Sequence, residues 1–582
     1  MTGGDVLVET LIDWGVDVVF GLPGDGINGV IEALRTRQDR IRFIQVRHEE
    51  SAAFMACAYA KYTGQLGVCL ATSGPGGLHL LNGLYDAKLD GQPVLAITGH
   101  TYHDLIDTFS QQDVDLDRVF QDVARYSTRI MSADHVSAVA SLACRTAITR
   151  RGVAHINFPH DLQSAEVGED RSKRNVAHHT SAVRARSPIE PRDEDVRAAA
   201  RILNGCHKVV ILAGRGALGA VDELEAVADQ LGAPIVKALL GKAAVPDDSP
   251  YTTGGLGLLG TKPSYEALQS CDGLLIAGSS FPYIEFLPKP GQAHCVQIDL
   301  DPARIGLRLP VEAAIIGDCR MTLAALVPCL VRKADRSFLE RAQKHVSEWR
   351  ERLDAQARPD GDGPMKPQFV AAALGRRLSR DAIVSCDSGT VTAWWARHVP
   401  ATRGQMHSVS GTLASMACGL PYAIAAQIAH PSRQSVAFVG DGALSMLMAE
   451  LATCVKYRLP VRVVVLKNDT LGQIKWEQMA FLGNPEFGCE LQAIDFAAVA
   501  RACGAVGLSA TTPEAYERAL DDAFATSGPA LVEAVVDPLE PPLPPHVTAT
   551  QAAHMAEAFL KGTPARGAIA RTLARDRVRE MV

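Results

Sequence analysis

The sequence predicts an α/β protein of three doubly wound parallel-sheet blocks, and three observations carry that prediction. Short apolar runs at 153–158, 209–212, 274–277, 436–439 and 461–466 alternate with longer helical patterns, as expected of strands covered by helices. Two polar stretches, at about 164–196 and about 332–366, interrupt the pattern and read as connectors. A chain of 582 residues is several times the usual domain length, enough for several separate cores. The blocks fall at 1–165, 185–335 and 365–545, followed by a helical tail at 546–582.

Composition narrows the class. With 47% hydrophobic and 21% charged residues, and 58 Lys+Arg against 65 Asp+Glu, nothing marks a nucleic-acid binder. Asp5, Glu9, Asp13 and Asp17 break up the first turns, so no secretory signal is expected. No run of about eighteen uncharged apolar residues would span a membrane. The 13 cysteines are scattered singly without zinc-ligand spacing and read as reduced thiols of a cytoplasmic protein.

In open α/β sheets ligands gather at the carboxyl ends of strands, so motifs are sought just after the apolar runs. The strongest is VAFVGDGALSMLMAELATCVKYRLPVRVVVLKNDTLG. It reads as a strand, a Gly440-Asp441-Gly442 turn, a helix of about thirteen residues, and a second strand ending at Lys467-Asn468-Asp469. One crossover helix returns the chain parallel to its start, so Asp441 and Asn468 share a sheet edge and can turn oxygens toward one ion. A hard cation such as Mg²⁺ takes such ligands at about 2.1 Å and bridges to phosphates. The glycines let backbone N–H groups approach a diphosphate at the helix start. A lone Gly-Asp-Gly is usually only a turn; the spacing to Asn468 makes it a site.

A Gly-Asp-Gly followed one crossover later by Asn resembles the signature of thiamine-diphosphate (ThDP) enzymes. The resemblance implies metal ligands from Asp441, Asn468 and the carbonyl of Thr470, with cofactor contacts from Gly442, Ala443, Leu471, Gly472 and Gln473. Lys467 departs from the family, which has Asn there. The first, second and third blocks then correspond to the pyrimidine-binding, central FAD-type and diphosphate-binding domains.

IQVRHEESAAFMACAYAKYTG runs from a short strand into an Ala-rich helix with Glu49 and Glu50 at its start. Read alone, these are acids favoured by the helix dipole. The segment is similar to the Arg-His-Glu segment of acetolactate synthases and pyruvate oxidases, which implies that Glu49 contacts the cofactor's pyrimidine. A carboxyl bonded to that ring promotes loss of the thiazolium C2 proton. SGTLASMACGLPYA matches the segment whose methionine supports the bent cofactor, pointing to Met416 with Ala414 and Ser415. ATSGPGGLHLLNGLYDA, with Thr72, Gly74, Gly76 and Asn82, resembles the loop and helix beside the pyrimidine.

In the middle block, Gly214-Arg215-Gly216 follows a strand and is weak evidence for phosphate binding alone. PYTTGGLGLLG (Leu256, Gly257, Leu258, Leu259), AGSSFPYIEFLP (Ser279, Ser280, Phe281, Pro282, Tyr283) and VQIDLDPARIG (Asp299) resemble the FAD-binding domain of pyruvate oxidase and quinone-dependent pyruvate dehydrogenase. The implied reaction is oxidative decarboxylation of a 2-oxo acid, pyruvate by default, with electrons passing to oxygen or a quinone. The implied assembly is a homodimer at minimum and a homotetramer by family habit. Gln112 and Glu477 match catalytic positions of the oxidases, while Gln111 and Gln473 stand where those enzymes carry apolar groups. Ser388 replaces a usual Val, and Lys88 an active-site His of the quinone-dependent enzyme. A buried amide without a partner costs about 1–3 kcal/mol, so this pocket expects something polar.

Two other readings stay open: non-oxidative carboligation of the acetolactate-synthase type, with FAD structural or absent, and a non-catalytic sensing or assembly protein on the same fold. The tail carries Arg566, Arg571, Arg575, Arg577 and Arg579, which fits either peripheral contact with anionic lipid at the inner face of a membrane or a solvated, packing helix.

Overall fold

The computed structural model describes residues 1–168, 182–183, 188–359 and 364–581, with side chains to 574 in the tail. Parts of both expected connectors (169–181, 184–187 and 360–363) and the side chains of Arg575, Arg577 and Arg579 lie outside the described residues. The five apolar runs all fall in parallel strands. The first sheet contains β1 (Val18–Gly21), β2 (Arg42–Gln45), β3 (Gly67–Ala71), β4 (Val94–His100), β5 (Ala124–Arg129) and β6 (Val153–Pro159). The second contains β7 (Val209–Ala213), β8 (Ile235–Lys237), β9 (Thr252–Gly255), β10 (Gly273–Ala277), β11 (His294–Asp299) and β12 (Ala313–Ile316). The third contains β13 (Ile383–Cys386), β14 (Met406–Ser408), β15 (Ser435–Gly440), β16 (Arg462–Lys467), β17 (Val506–Ala510) and β18 (Ala530–Val535).

Strand order shows a kinship that the sequence pattern hides. The first sheet runs β2-β1-β3-β4-β6-β5 and the third β14-β13-β15-β16-β18-β17, the same winding twice. The middle sheet runs β12-β11-β10-β7-β8-β9, the dinucleotide-type order, whose crevice opens beyond the carboxyl ends of the adjacent strands β7 and β10, where the strand order reverses. All three are doubly wound α/β units.

The first and third units share one apolar core. The helix Glu49–Thr63 is Ala-rich and buried almost all round, from Ala52 and Phe54 to Ala60, and packs on the equally apolar helix Gly419–Ala429. The His48 ring accepts the Glu50 N–H at 3.2 Å to start the first helix, and left-handed Gly64 (φ 69°) ends it. The middle unit has its own core, from Val196 to Leu330.

One element differs from expectation. The crossover after Asp441 is a helix at Asp441–Leu447, a 3₁₀ turn at Met448–Glu450 and a second helix at Leu451–Lys456. The break at Leu447 (φ −131°, ψ 27°) goes with an inward-turned Glu450, whose Oε1 accepts the N–H groups of Arg47 (2.9 Å) and His48 (3.2 Å). A carboxylate of the third unit thus fixes the approach to Glu49.

In the tail, the helix Ala549–Leu560 lays Ala558 and Phe559 on Trp476 and Met479, and Ile569 and Leu573 of the following helix join them. Among the described residues no helix is long and apolar enough to cross a membrane.

Candidate active site

β15 and β16 pair in register, Gly440 opposite Leu466, so Asp441 and Asn468 emerge side by side. Asp441 is 6% exposed. Its Oδ1 accepts the Gly442 N–H at 2.8 Å, and its Oδ2 those of Asn468 (2.9 Å) and Asp469 (2.6 Å). Burial raises its pKa against these three bonds, and the nearby Asp469 charge adds to the rise. No lysine or arginine pairs with it among the described residues; Lys467 binds Asp469 instead, at 3.0 Å. The donors are all oxygen: Asp441, the Asn468 amide, which accepts the Thr470 N–H at 3.3 Å, and the Thr470 carbonyl, which accepts that of Gly472 at 2.8 Å. A buried carboxylate without a cation, among hard oxygen donors, fits a divalent metal. A Cβ added at Gly442 would lie 3.1 Å from Leu471 and 3.5 Å from the Met416 methyl, so Met416 stands over this helix start beside Leu471. Ala443 is buried beneath it.

The second half of the site surrounds Glu49, whose carboxylate meets His79 Nδ1 at 2.9 Å while the His48 ring stacks on His79 at 4.5 Å. A Cβ on Gly76 would approach Glu49 Oε1 to 3.3 Å and the Thr72 methyl to 2.9 Å, so glycine keeps the space beside the carboxylate open. Gln112, in a left-handed conformation (φ 58°), accepts the Ser73 hydroxyl at 2.6 Å and packs over Gly74. Asn82 bridges the halves, donating to Glu50 Oε1 at 2.6 Å and to Ser415 Oγ at 2.9 Å. His79 went unnoticed in the sequence; its place three residues before Asn82 on a glycine-started helix was the available signal.

Between the units lies a cavity of about 1150 Å³. It is lined by Gly216, Leu256, Gly257, Leu258, Leu259, Ser279, Ser280, Phe281, Pro282, Tyr283 and Asp299 of the middle unit, and reaches Lys88, Ser388, Ala414, Gln473 and Glu477 of the others. Gly214 does not line it. A Cβ there would sit 2.3 Å from the Gly278 oxygen and 2.5 Å from Ser279 Cβ, so the close approach of the chain beyond the ends of β7 and β10 by itself calls for glycine. Arg151, Arg215 and Arg304 also face the cavity. Burial lowers the pKa of Arg151, with the Arg304 charge adding to the drop, and brings that of Arg215 to about 10, with the charges of Arg151 and Arg304 adding to it. Crowded guanidinium groups on a Rossmann-type crevice fit an anionic dinucleotide such as FAD.

Of the polar positions read from the sequence, Gln473 and Ser388 line the cavity, while Gln111 is exposed and outside its lining. Gln473 donates to Glu477 Oε1 at 2.9 Å, while its own Oε1 is buried without a partner among the described residues. Ser388 follows Asp387, a carboxyl that burial pushes up to about 7 although it accepts the Ser388 and Gly419 N–H groups. Lys88 is held by Asp122 at 2.7 Å.

Two candidate half-sites thus lie at strand ends of like-wound units, beside a dinucleotide-type sheet. Residues 1–119 match the N-terminal TPP binding domain of thiamine pyrophosphate enzymes, 196–326 the central domain and 387–534 the C-terminal TPP binding domain. The chain belongs to the thiamine pyrophosphate (thiamine diphosphate) enzyme family. It is 42% identical over 560 residues, 96% of either chain, to the Bacillus subtilis (strain 168) protein YdaP, described as thiamine pyrophosphate-containing. It is 35% identical over 544 residues to the pyruvate oxidase of Lactiplantibacillus plantarum, covering 92% of this chain and 88% of that one. It is 30% identical over 549 residues to the acetolactate synthase large subunit of Parasynechococcus marenigrum, covering 92% and 87%.

Proposed function

We propose that the chain catalyses oxidative decarboxylation of a 2-oxo acid, pyruvate by default, using ThDP, Mg²⁺ and FAD, with oxygen or a quinone as acceptor. The observation that carries this reading is the continuity of the cavity, which joins the flavin-type segments to Ser388, Gln473 and Glu477. When bound, ThDP supplies the carbanion chemistry and FAD the two-electron sink. Asp441, Asn468 and the Thr470 carbonyl would hold the metal, and Gly442 N–H the diphosphate. Glu49 would hold a proton against the pyrimidine, kept in place by His79 and by Glu450 behind the Arg47 and His48 backbone. Gln112 and Glu477 would bind the substrate's polar atoms, while Arg151, Arg215 and Arg304 would meet the FAD diphosphate. Two copies would complete each site: Phe109 beside Gln112, and Ile474, Leu482 and Phe487 beyond Gln473, are exposed apolar groups suited to a dimer face, with a tetramer as the assembly. Thirteen free cysteines fit a reducing, cytoplasmic compartment.

The likeness to acetolactate synthases and the partnerless amide oxygen of Gln473 favour a second reading, carboligation. Loaded protein given pyruvate with and without an acceptor separates the two. Acceptor-dependent turnover supports the oxidase reading; acetolactate formed at full rate without acceptor replaces it with the synthase one.

A further inference from the structure

Behind the loop that carries Met416, the three units meet at a buried ionic cluster. Lys61, near the far end of the helix that begins at Glu49, donates to Asp90 Oδ2 at 2.7 Å, to the Val409 carbonyl at 2.8 Å and to Tyr422 OH at 2.7 Å. Asp86 lies 3.9 Å from the same ammonium and accepts the Tyr422 hydroxyl. The side chains of Asp86 and Asp90 are fully buried and that of Lys61 is 4% exposed. Asp90 also accepts the N–H groups of Gly411 (3.0 Å) and Thr412 (2.9 Å), and its carbonyl accepts Arg215 of the middle unit. Burial would lower the pKa of Lys61, but the two aspartates override it and hold the value well above normal.

The cluster reaches the cofactor loop through one hydroxyl. Ser410 Oγ donates to Asp86 Oδ1 at 2.9 Å and accepts the Ser415 N–H at 3.0 Å. Ser415 Oγ accepts from Asn82, and Asn82 donates to Glu50, so the path returns to the start of the helix that carries Glu49. The loop needs such support. Ala414 (φ 55°) and Ala417 (φ 74°), on either side of Ser415 and Met416, hold left-handed conformations that alanine adopts only when its surroundings impose them.

We propose that Ser410, held by Asp86, is a positioning residue that fixes the 414–417 loop, and so sets how fast the bound cofactor loses its C2 proton. The inference rests on the reading that Met416 supports the bent cofactor. Small misplacements of reacting groups are expensive, about a hundredfold for an ångström, so loss of one tether should register in the proton step before it registers in binding.

The test uses the full chain loaded with ThDP and Mg²⁺, reading C2 deuterium exchange by acid-quench NMR and cofactor affinity by titration. Ser410→Ala leaves the buried carboxylates and lysine in place; it should bind cofactor within about threefold of wild type while exchange slows about tenfold or more. Ser410→Thr, which restores a hydroxyl, should recover most of the rate. Wild-type exchange in cofactor-bound Ser410→Ala overturns the proposal, as does a lowered melting temperature with unchanged exchange, which would leave a purely structural weld. Met416→Ala separates the two levels. If it exchanges at the wild-type rate, the Met416 reading fails and this inference fails with it. If Met416→Ala is slow and Ser410→Ala is not, the Met416 reading stands and only the Ser410 inference falls.

Discussion

Replacing Asp441 by Ala tests the diphosphate half through stability alone. The side chain accepts three backbone N–H groups, at 2.8, 2.9 and 2.6 Å, and stranding a buried donor costs about 1–3 kcal/mol. Against this, the variant is relieved of a buried carboxylate whose ionised form is disfavoured by burial and by Asp469. Water can reach the half-buried Asn468 and Asp469, so we expect the apo protein to lose about 2–4 kcal/mol. The sharper quantity is linkage: a ligand at a hundred times its Kd stabilises the native state by about 2.7 kcal/mol. Thermal melts of both proteins alone, with Mg²⁺, with ThDP and with both should show wild type rising only when both are present, and Asp441→Ala unmoved. If Asp441→Ala keeps the Mg²⁺-dependent rise, the metal assignment is wrong.

Three further outcomes follow from particular contacts. Burial pushes His155 and His398 down to about 3, and His407 well below its usual value, so the native chain refuses protons that the unfolded chain binds below about 6.5. These three histidines contribute stability that is present above pH 6.5 and lost as pH falls toward 3, about 4 kcal/mol one unit below the unfolded value, while Asp387, whose carboxyl is pushed up to about 7, takes up its proton in the native chain over the same window and offsets about 2 kcal/mol of that loss; urea unfolding at pH 7.5 and 5.5 should show a net loss of about 2 kcal/mol, and equal stability at the two would refute it. Gln473→Leu removes the stranded amide oxygen and should shift the kcat/KM ratio toward pyruvate over a hydroxylated 2-oxo acid by about tenfold, read in paired steady-state assays; an unchanged ratio would remove Gln473 from substrate choice. Gly214→Ala should cost about 3 kcal/mol in flavin-free melts, because its Cβ meets the Gly278 oxygen and Ser279; a wild-type melt with weakened FAD binding would favour the phosphate-loop reading.

Legibility in the sequence followed the range of the interactions involved. Central strands such as β15 and β16 are continuous apolar runs because both their faces are covered, and the Asp441 to Asn468 spacing is one local crossover, so both could be read directly. β5 (ARYSTR) and β17 (VGLSA), at sheet edges, carry polar groups and merge with their flanks. The interruption of the helix after Asp441 was hidden because its cause is distant: Glu450 serves Arg47 and His48, some four hundred residues earlier in the chain. Lys61, Asp86 and Asp90 likewise look like ordinary polar positions on helices until Ser410, Gly411, Thr412 and Tyr422 arrive from the third unit. At Gly214 the sequence leaves two reasons for glycine open, since a phosphate turn and a close backbone crossing call for the same residue, and the close approach of Gly278 and Ser279 is visible only in the fold.

The most direct test of the account is one anaerobic titration. Protein loaded with ThDP, Mg²⁺ and FAD is mixed with pyruvate without any acceptor, and the flavin absorbance is followed in wild type and in Glu49→Gln. Wild type should bleach, and the bleaching should disappear when ThDP is omitted and slow about a hundredfold or more in Glu49→Gln. Flavin that stays oxidised while pyruvate is consumed, or bleaching indifferent to Glu49, would contradict the proposed mechanism.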